Sequence, residues 1–208
     1  MNLVLIGPQG SGKGAQAELL STKFKIPTVS VGQLYREQIR KQTALGKKVK
    51  KYVLSGALVP NNFTNNLIES ELGKKKYAKG FILDGFPRDL VQARFLEKVR
   101  KIDKVILITI SQSETIKRLS GRRVCDCGET YHIITKKPKR NMVCDKCGRS
   151  LKQRPDDTPK AIKARLKIYH QQTKSVIAYF NRQGKVIKIN GQANIRQVFK
   201  RILKVLKK

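Results

Sequence analysis

The sequence predicts an α/β fold: a doubly wound, five-stranded parallel sheet with helices on both faces and a small cysteine-bearing insertion. Five short apolar runs alternate with longer helical stretches, which is typical of buried parallel strands joined by crossover helices. A glycine-rich segment follows the first run directly and precedes a helix, as at turns that cradle phosphate groups. The apolar runs are Leu3–Ile6, Thr28–Val31, Phe81–Leu83, Val105–Ile110 and Val186–Ile189.

Two helices are predicted in the last quarter of the chain. Thr158 is a good N-cap with Pro159 at the first helical position, and apolar residues recur at helical spacing from Ile162 to Phe180. The segment Ile195–Leu206 has an apolar face opposite lysines and arginines. This pattern favours a helix packed on the sheet, and a membrane-surface or RNA-binding helix is the alternative.

Length and hydropathy limit the classes of protein to which the chain can belong. The 208 residues suffice for one domain with a small insertion, and 39% of them are hydrophobic. No run approaches the roughly 20 apolar residues of a membrane span, and the first strand lacks the basic lead and cleavage site of a signal peptide. We therefore expect a soluble, intracellular protein without a membrane partner.

The chain is strongly basic, with 46 lysines and arginines against 14 acidic residues and a formal net charge of +32. A polyanionic partner is one explanation, and a general bias towards lysine on the surface is the other. The lysines are scattered, and no aromatic signature of RNA binding accompanies them. The sequence therefore favours surface bias over a specific nucleic-acid site.

All four cysteines lie in one stretch, at Cys125, Cys127, Cys144 and Cys147. Apolar periodicity fades around them, and a segment of this size buries little core of its own. In an intracellular chain such a cluster indicates metal binding before disulfides. We call residues 121–157 the cysteine insertion.

The strongest local motif is residues 7–13, GPQGSGK, between the first strand and the first helix. Its glycines let backbone N–H groups curl around a polyphosphate, and the helix N-terminus adds positive potential. Lys13 can then reach the terminal phosphates. The lysine is followed by Gly14 and Ala15 instead of Ser or Thr, which moves the interpretation from GTPases towards nucleoside monophosphate kinases.

A second motif, FILDGFPR at residues 81–88, follows a predicted strand, with Gln92 four residues later. The carboxyl ends of parallel strands face the ligand crevice. Asp84 there can hold Mg²⁺ through water, and Arg88 can fork onto a phosphate.

The two motifs together resemble the adenylate kinases, and other landmarks of that family follow along essentially the whole chain. The resemblance implies transfer of a phosphoryl group from ATP to AMP, giving two ADP, with Mg²⁺. The ATP-binding residues that it implies are Gly10, Ser11, Gly12, Lys13, Gly14, Ala15, Arg118, Arg122, Thr130, Tyr131 and Ala193. Those for AMP are Val31, Arg36, Ala57, Leu58, Val59, Gly85, Phe86, Pro87, Arg88, Gln92, Arg154 and Arg165.

Catalysis in this family needs no protein nucleophile, so the expected catalytic residues are cations. Two polyphosphates side by side carry a large negative charge, and guanidiniums can fork onto their equatorial oxygens. The resemblance assigns that role, with stabilisation of the transferring group, to Lys13, Arg88, Arg122, Arg154 and Arg165.

Four positions depart from the family pattern. Ala15 and Val31 stand where threonines are usual, Gln33 replaces an acidic residue, and Asp89 replaces a threonine. Val31 loses a polar contact to the AMP base, so we expect weaker discrimination among bases while AMP stays preferred.

Zinc-bearing members carry two cysteine pairs in a lid, each pair separated by two residues. Here Cys144 and Cys147 fit, whereas Cys125 and Cys127 have one residue between them. The 16 residues between the pairs match the usual loop, which favours a structural Zn²⁺ over four metal-free thiols. Asp126, His132 or Asp145 are possible substitute ligands.

The resemblance also divides the chain. It implies a nucleotide-binding core of residues 1–29, 60–120 and 158–208, an AMP-binding helical insertion at 30–59 and a lid at 121–157. The expected function is that of an adenylate kinase. A kinase for another nucleoside monophosphate, or an RNA-associated nucleotide-binding protein, are the alternatives.

Overall fold

The structure is a computed structural model that describes residues 1–206. Its main sheet consists of β1 (Asn2–Ile6), β2 (Thr28–Ser30), β3 (Phe81–Asp84), β4 (Lys104–Thr109) and β7 (Val186–Asn190). All neighbouring strands are parallel, in the order β2-β3-β1-β4-β7. This order places the ends of β1 and β3 side by side at the centre of the sheet.

Eight α-helices connect or extend these strands within residues 1–206. They are α1 (Lys13–Phe24), α2 (Val31–Arg40), α3 (Ala44–Ser55), α4 (Asn61–Leu72), α5 (Leu90–Val99), α6 (Gln112–Ser120), α7 (Pro159–Asn181) and α8 (Ile195–Leu206). Short 3₁₀ helices occupy Lys75–Tyr77 and Pro155–Asp157.

The predicted fold class is confirmed, with small changes at strand ends. Residue Val31, predicted as the last residue of a strand, begins α2 instead, and β3 extends one residue further to Asp84. Strand β4 covers Lys104–Thr109 and not Val105–Ile110. Strand ends are hard to predict because apolar burial continues into the turn that follows.

Both faces of the sheet are buried, which explains why the strands are continuously apolar. On one face, Val4 and Ile6 of β1 pack with residues of α2, α3, α4, α5 and α7. On the other face, Leu3 and Leu5 pack with α1 and α8. The helical layers therefore lie on both sides, as in a doubly wound fold.

The two helices predicted from the sequence are present. The Thr158 hydroxyl caps α7 by accepting a hydrogen bond from the Ala161 N–H at 3.3 Å. Helix α8 packs on the core through Val198 and Ile202, as the amphipathic pattern favours. None of the helices within residues 1–206 has the length and apolar character needed to cross a membrane.

The cysteine insertion has its own small architecture. Strands β5 (Arg122–Val124) and β6 (Thr130–His132) form an antiparallel pair apart from the main sheet. Its buried cluster contains Cys125, Tyr131, Cys144 and Leu151. Two cysteines thus do the packing that larger apolar side chains do elsewhere.

We predict that Thr158→Ala lowers the free energy of unfolding by about 1 kcal/mol, because it removes the acceptor that caps α7. Thr158→Ser, which keeps the hydroxyl, should retain most of the wild-type value. Urea denaturation followed by circular dichroism measures both. A serine variant as unstable as the alanine variant would contradict the capping role.

Candidate active site

The candidate site is a cleft at the carboxyl ends of β1 and β3, where both sequence motifs come together. Its volume is about 550 Å³, part of it open to solvent. The predicted residues among its lining are Lys13, Leu58, Gly85, Phe86, Pro87, Arg88 and Arg165. The strand order alone brings the loops after β1 and β3 into contact, as expected for the crevice of an open α/β sheet.

The loop after β1 turns sharply into α1. Gly10 and Gly12 have φ angles of +77° and +91°, which side-chain-bearing residues rarely adopt. The Lys13 ammonium folds over this loop and donates hydrogen bonds to the carbonyls of Gly7 at 2.8 Å and Pro8 at 2.9 Å. The glycine-rich turn and the lysine thus form one unit at the N-terminus of α1.

The environment of Lys13 lowers its pKa to about 8, first through burial and then through nearby Arg88, Arg165 and Arg122, against the opposing effect of Asp84. A lowered lysine pKa means that the protein around it disfavours the charged form. An anion in the cleft would reverse that balance.

Asp84 and Arg88 lie at the end of β3, on the same side of the sheet as Lys13. The Asp84 carboxylate points towards the start of α1, where a Cβ built on Gly14 would lie 3.9 Å from its Oδ2 atom. Arg88 donates through Nε to the Gly85 carbonyl at 2.9 Å. Burial, followed by the charge of Arg165, lowers the Arg88 pKa.

A buried carboxylate anchors two of the predicted arginines. Asp157 is fully buried, with 0% of its surface exposed. Arg122 binds it in a bidentate pair, Nε–Oδ2 2.8 Å and Nη2–Oδ1 2.5 Å. Arg165 contacts the Asp156 carboxylate at 2.8 Å and Asp157 at 3.4 Å. These pairs fix the direction of both guanidiniums.

The remaining predicted arginines lie in the same electrostatic neighbourhood. Burial lowers the pKa of Arg36, and four nearby charges also act on it: those of Asp156, Arg122, Asp84 and Arg165. Burial, followed by the charges of Arg122 and Arg36, lowers the pKa of Arg154, which nevertheless stays charged as guanidiniums do in proteins. Its Nε atom is buried without a hydrogen-bond partner within residues 1–206.

Arg118 joins the phosphate loop to the loop after β7. Its guanidinium pairs with Glu114 at 2.6 Å and donates to the Gly191 carbonyl at 3.0 Å. Ala193, in that same loop, packs partly buried against the core cluster of α1 and α8. The predicted ATP residues of α6 and of the late loop therefore sit beside the start of α1.

Four of the residues predicted to bind AMP differ in how far they are buried. Ala57 and Leu58 are half-buried in the connection between α3 and α4. Val31 is 3% exposed and Val59 is 7% exposed, and both side chains belong to the hydrophobic core. The side chains of these two residues are therefore turned into the core and away from a ligand.

Sequence reasoning missed part of the lining. Ile168, Tyr169 and Thr173 of α7 line the cleft together with Arg165. The prediction had assigned Tyr169 only to the packing stripe of α7, and burial raises its pKa to about 12. The signal was available, because positions 165, 169 and 173 lie four residues apart on one helical face.

Tyr131 lies in the buried cluster of the cysteine insertion. It is 5% exposed, its hydroxyl accepts a hydrogen bond from the Asp145 N–H at 2.8 Å, and it lies 3.6 Å from Cys144 Sγ. Its hydroxyl is therefore engaged with the cysteine cluster, and a contact of this residue with ATP stays a prediction. Thr130 pairs with Val124 in the small sheet.

The four cysteine sulfurs converge, all within 4.8 Å of one another, and no disulfide joins them. Cys125 lies 3.4 Å from Cys147, and Cys127 lies 3.6 Å from Cys144. The side chain of Arg149, then its backbone N–H and Cys125, lower the pKa of Cys147 to about 6. A cluster of thiols with this geometry could bind a metal ion.

The shortened pair has one residue between Cys125 and Cys127, whereas the other pair has two between Cys144 and Cys147. All four sulfurs nevertheless reach the cluster. The substitute ligands considered from the sequence have other partners: Asp145 accepts from the Lys139 N–H, Asp126 pairs with Lys152, and His132 accepts through Nδ1 from the Ile134 N–H.

The cysteine insertion contacts α2. A Cβ built on Gly128 would lie 2.8 Å from Nε2 of the Gln33 side chain, so that side chain lies against the backbone of residue 128. On the opposite side, Gly56 packs against Arg165 of α7. The cleft is thus bordered by segments from three parts of the chain.

The parallel sheet, the phosphate loop and the convergent cations define an α/β protein of the phosphate-loop class, built to hold phosphorylated ligands. A sequence model of the adenylate kinase family matches residues 5–185. The adenylate kinase of Methanothrix thermoacetophila is 46% identical over 213 residues, covering 100% of this chain and 99% of the relative. Those of Caldicellulosiruptor bescii (42% over 212 residues, 99% of each chain) and Archaeoglobus fulgidus (41% over 214 residues, 100% and 99%) are similar. The chain belongs to the adenylate kinase family.

We predict that Asp157→Ala destabilises the protein by roughly 3–5 kcal/mol, because it leaves Arg122 and Arg165 without their buried counter-charge. Glu37→Ala, which removes the exposed pair with Lys41, should cost less than about 1 kcal/mol. Urea unfolding measures both. Equal, small losses would show that Asp157 does not anchor the arginines.

Proposed function

We propose that this protein is an adenylate kinase that catalyses ATP + AMP = 2 ADP. One observation carries the proposal: Lys13, Arg88 and Arg165 line one cleft between a phosphate loop and the end of β3, and the charge of Arg122 reaches Lys13 there. A site of this charge needs phosphorylated ligands to offset it. Family membership supplies the identity of the two nucleotides.

ATP is proposed to lie over the start of α1. The loop N–H groups from Gly10 to Ala15 would bind its phosphates, and Lys13 would leave the carbonyls of Gly7 and Pro8 for them. Arg118 and Arg122 would add charge, and the loop containing Ala193 would contact the adenine. Thr130 remains a candidate at the border of this site.

AMP is proposed to lie on the opposite side of the cleft, near the start of α2 and the turn at 85–88. Its phosphate would be held by arginines, and its base and sugar by the backbone around residues 57–59 and by Gln92. Support comes from the half-buried Arg88 beside the cleft and from the neighbouring charges. The arginines assigned to this phosphate are Arg36, Arg88, Arg154 and Arg165.

The Mg²⁺ that accompanies ATP fits beside Asp84. This carboxylate faces the start of α1, and no ion pair or hydrogen bond engages its side chain within residues 1–206. Carboxylate and phosphate oxygens suit this hard cation. Bound there, the ion supplies positive charge to the phosphates.

The chemistry is proposed as an in-line displacement. An oxygen of the AMP phosphate forms a bond to the γ-phosphorus of ATP, and the bond from that phosphorus to the β,γ-bridging oxygen breaks, leaving ADP on both sides. Lys13 and the guanidiniums stabilise the charge spread over the transferring group. No side chain acts as a nucleophile.

Closure of the site is proposed to involve two mobile segments around the core of residues 1–29, 60–120 and 158–208. These are the AMP-binding insertion at 30–59 and the lid, which is the cysteine insertion at 121–157. The contact of the Gln33 side chain with Gly128 supports closure, since it joins these two segments. Closing them excludes water that would otherwise hydrolyse ATP.

The cysteine cluster is proposed to hold one structural Zn²⁺. A tetrahedral zinc with Zn–S bonds of about 2.3 Å holds its sulfurs roughly 3.8 Å apart. The observed separations of 3.4 and 3.6 Å for two pairs are compatible with that ligand set. With four thiolates no position is left open for catalysis, so the metal would stabilise the lid.

We further propose that the enzyme acts as a cytoplasmic monomer, without a membrane or a specific nucleic acid as partner. The scattered distribution of its basic residues supports surface bias. A kinase for another nucleoside monophosphate would share the same charged machinery, with a different base.

Lys13→Met should lower kcat by roughly 10²–10³-fold without lowering the melting temperature, because it removes charge aimed at the transferring phosphate. Arg88→Ala should raise the KM for AMP far more than that for ATP. Lys23→Met and Arg94→Ala, exposed on α1 and α5, are the matched controls. A coupled ADP-formation assay measures all four, and near-normal activity of either site variant would refute the mechanism.

Metal analysis of purified protein should find about one zinc per chain. Removing it should lower the melting temperature more than the activity at low temperature, because the small insertion has few apolar residues to hold it together. Cys127→Ser should lose the metal, and Asp126→Asn should keep it. A metal-free protein that melts at the same temperature with and without added zinc would contradict the structural role.

A further inference from the structure

The side-chain amide of Gln92 is held at both ends. Its Oε1 atom accepts a hydrogen bond from the Arg88 N–H at 2.8 Å, and its Nε2 atom donates to Asn61 Oδ1 at 2.7 Å. The residue is 2% exposed, and its own N–H is held by the Asp89 carboxylate at the N-cap of α5. The amide plane is therefore fixed relative to the turn that carries Arg88.

The two partners also decide which end of the amide points where. A backbone N–H can only donate, so the oxygen of Gln92 must face Arg88 and its nitrogen must face Asn61. A flipped amide would place an NH₂ group against the Arg88 N–H. Each amide atom keeps one further hydrogen-bonding position, a lone pair on oxygen and an N–H on nitrogen.

The Asn61 side chain contacts Gln92 and not the backbone of its own helix. It is the first residue of α4, whose N-cap is Pro60 and whose start has no side-chain cap. Asparagine at a helix start commonly accepts from a backbone N–H of its own helix. Here its oxygen reaches across to α5 instead, 31 residues along the chain.

We propose that Asn61 is a positioning residue for base selection: together with the Arg88 N–H it holds the Gln92 amide in one orientation, so that the site accepts adenine and rejects guanine. The inference rests on the proposed binding of AMP beside Gln92. Asn61 itself need not touch the nucleotide.

The base chemistry explains the expected selectivity. Adenine offers a donor at N6 beside an acceptor at N1, whereas guanine offers an acceptor at O6 beside a donor at N1. An amide of fixed orientation pairs its acceptor and donor with those of adenine. Against guanine it places donor against donor and acceptor against acceptor. Without Asn61 the amide keeps only the Arg88 N–H as a partner, so it adopts the other orientation more easily and rejects guanine less strongly.

The experiment compares the ratio of kcat/KM for AMP to that for GMP. Asn61→Leu and Asn61→Ala, which remove the acceptor, should lower this ratio about three- to tenfold, as expected for one hydrogen bond, with kcat for AMP changed by less than about twofold. Asn61→Asp keeps an acceptor that cannot donate and should retain the wild-type ratio. Its added charge affects both substrates alike, because they carry the same phosphate. Asn66→Leu, exposed on the same helix, is the matched control.

Two results would overturn the positioning role. One is an unchanged AMP-to-GMP ratio in the leucine and alanine variants, and the other is a loss in Asn61→Asp as large as theirs. Thermal melts of every variant identify any that fail to fold, and the alanine variant introduces no extra bulk. Wild-type protein that phosphorylated neither monophosphate would refute the proposed function itself, which distinguishes the two failures.

Discussion

The site depends on holding several positive charges close together in a partly buried cleft. After burial, the charges of Arg88, Arg165 and Arg122 lower the pKa of Lys13, and the acidic residues near this group are Asp84, Asp156 and Asp157. Repulsion of this kind is strong where water is scarce. The fully buried Asp157 makes the arrangement possible, because it fixes two guanidiniums at the junction of the cysteine insertion and α7.

The same constraint gives a reason for the position of Lys13. Its ammonium lies on the carbonyls of Gly7 and Pro8, which offset part of the cost of its charge. Phosphate oxygens are stronger partners, since both sides of the bond are then charged. Binding of a nucleotide would thus replace internal contacts with better ones, and the energy gained can be used to close the segments that border the cleft.

The sequence was sufficient to predict the sheet, the phosphate loop and the cysteine cluster. These features depend on local patterns: apolar runs, glycines next to a lysine, and paired cysteines. It could not show that Val31 turns inward, that Tyr131 supports the cysteines, or that Tyr169 lines the cleft. Those outcomes depend on how distant segments pack. The Asn61–Gln92 pair is likewise a contact between two helices that no spacing rule connects.

Arginines and a lysine would bind the phosphate of any nucleoside monophosphate, so the choice of AMP is tested most directly by supplying several. ADP formation from Mg²⁺-ATP would be measured with AMP, GMP, CMP and UMP under the same conditions. The account predicts transfer to each in proportion to how well its base fits, with AMP clearly preferred. Preference for UMP or CMP would contradict the substrate, and RNA-stimulated ATP hydrolysis without transfer to any monophosphate would contradict the function.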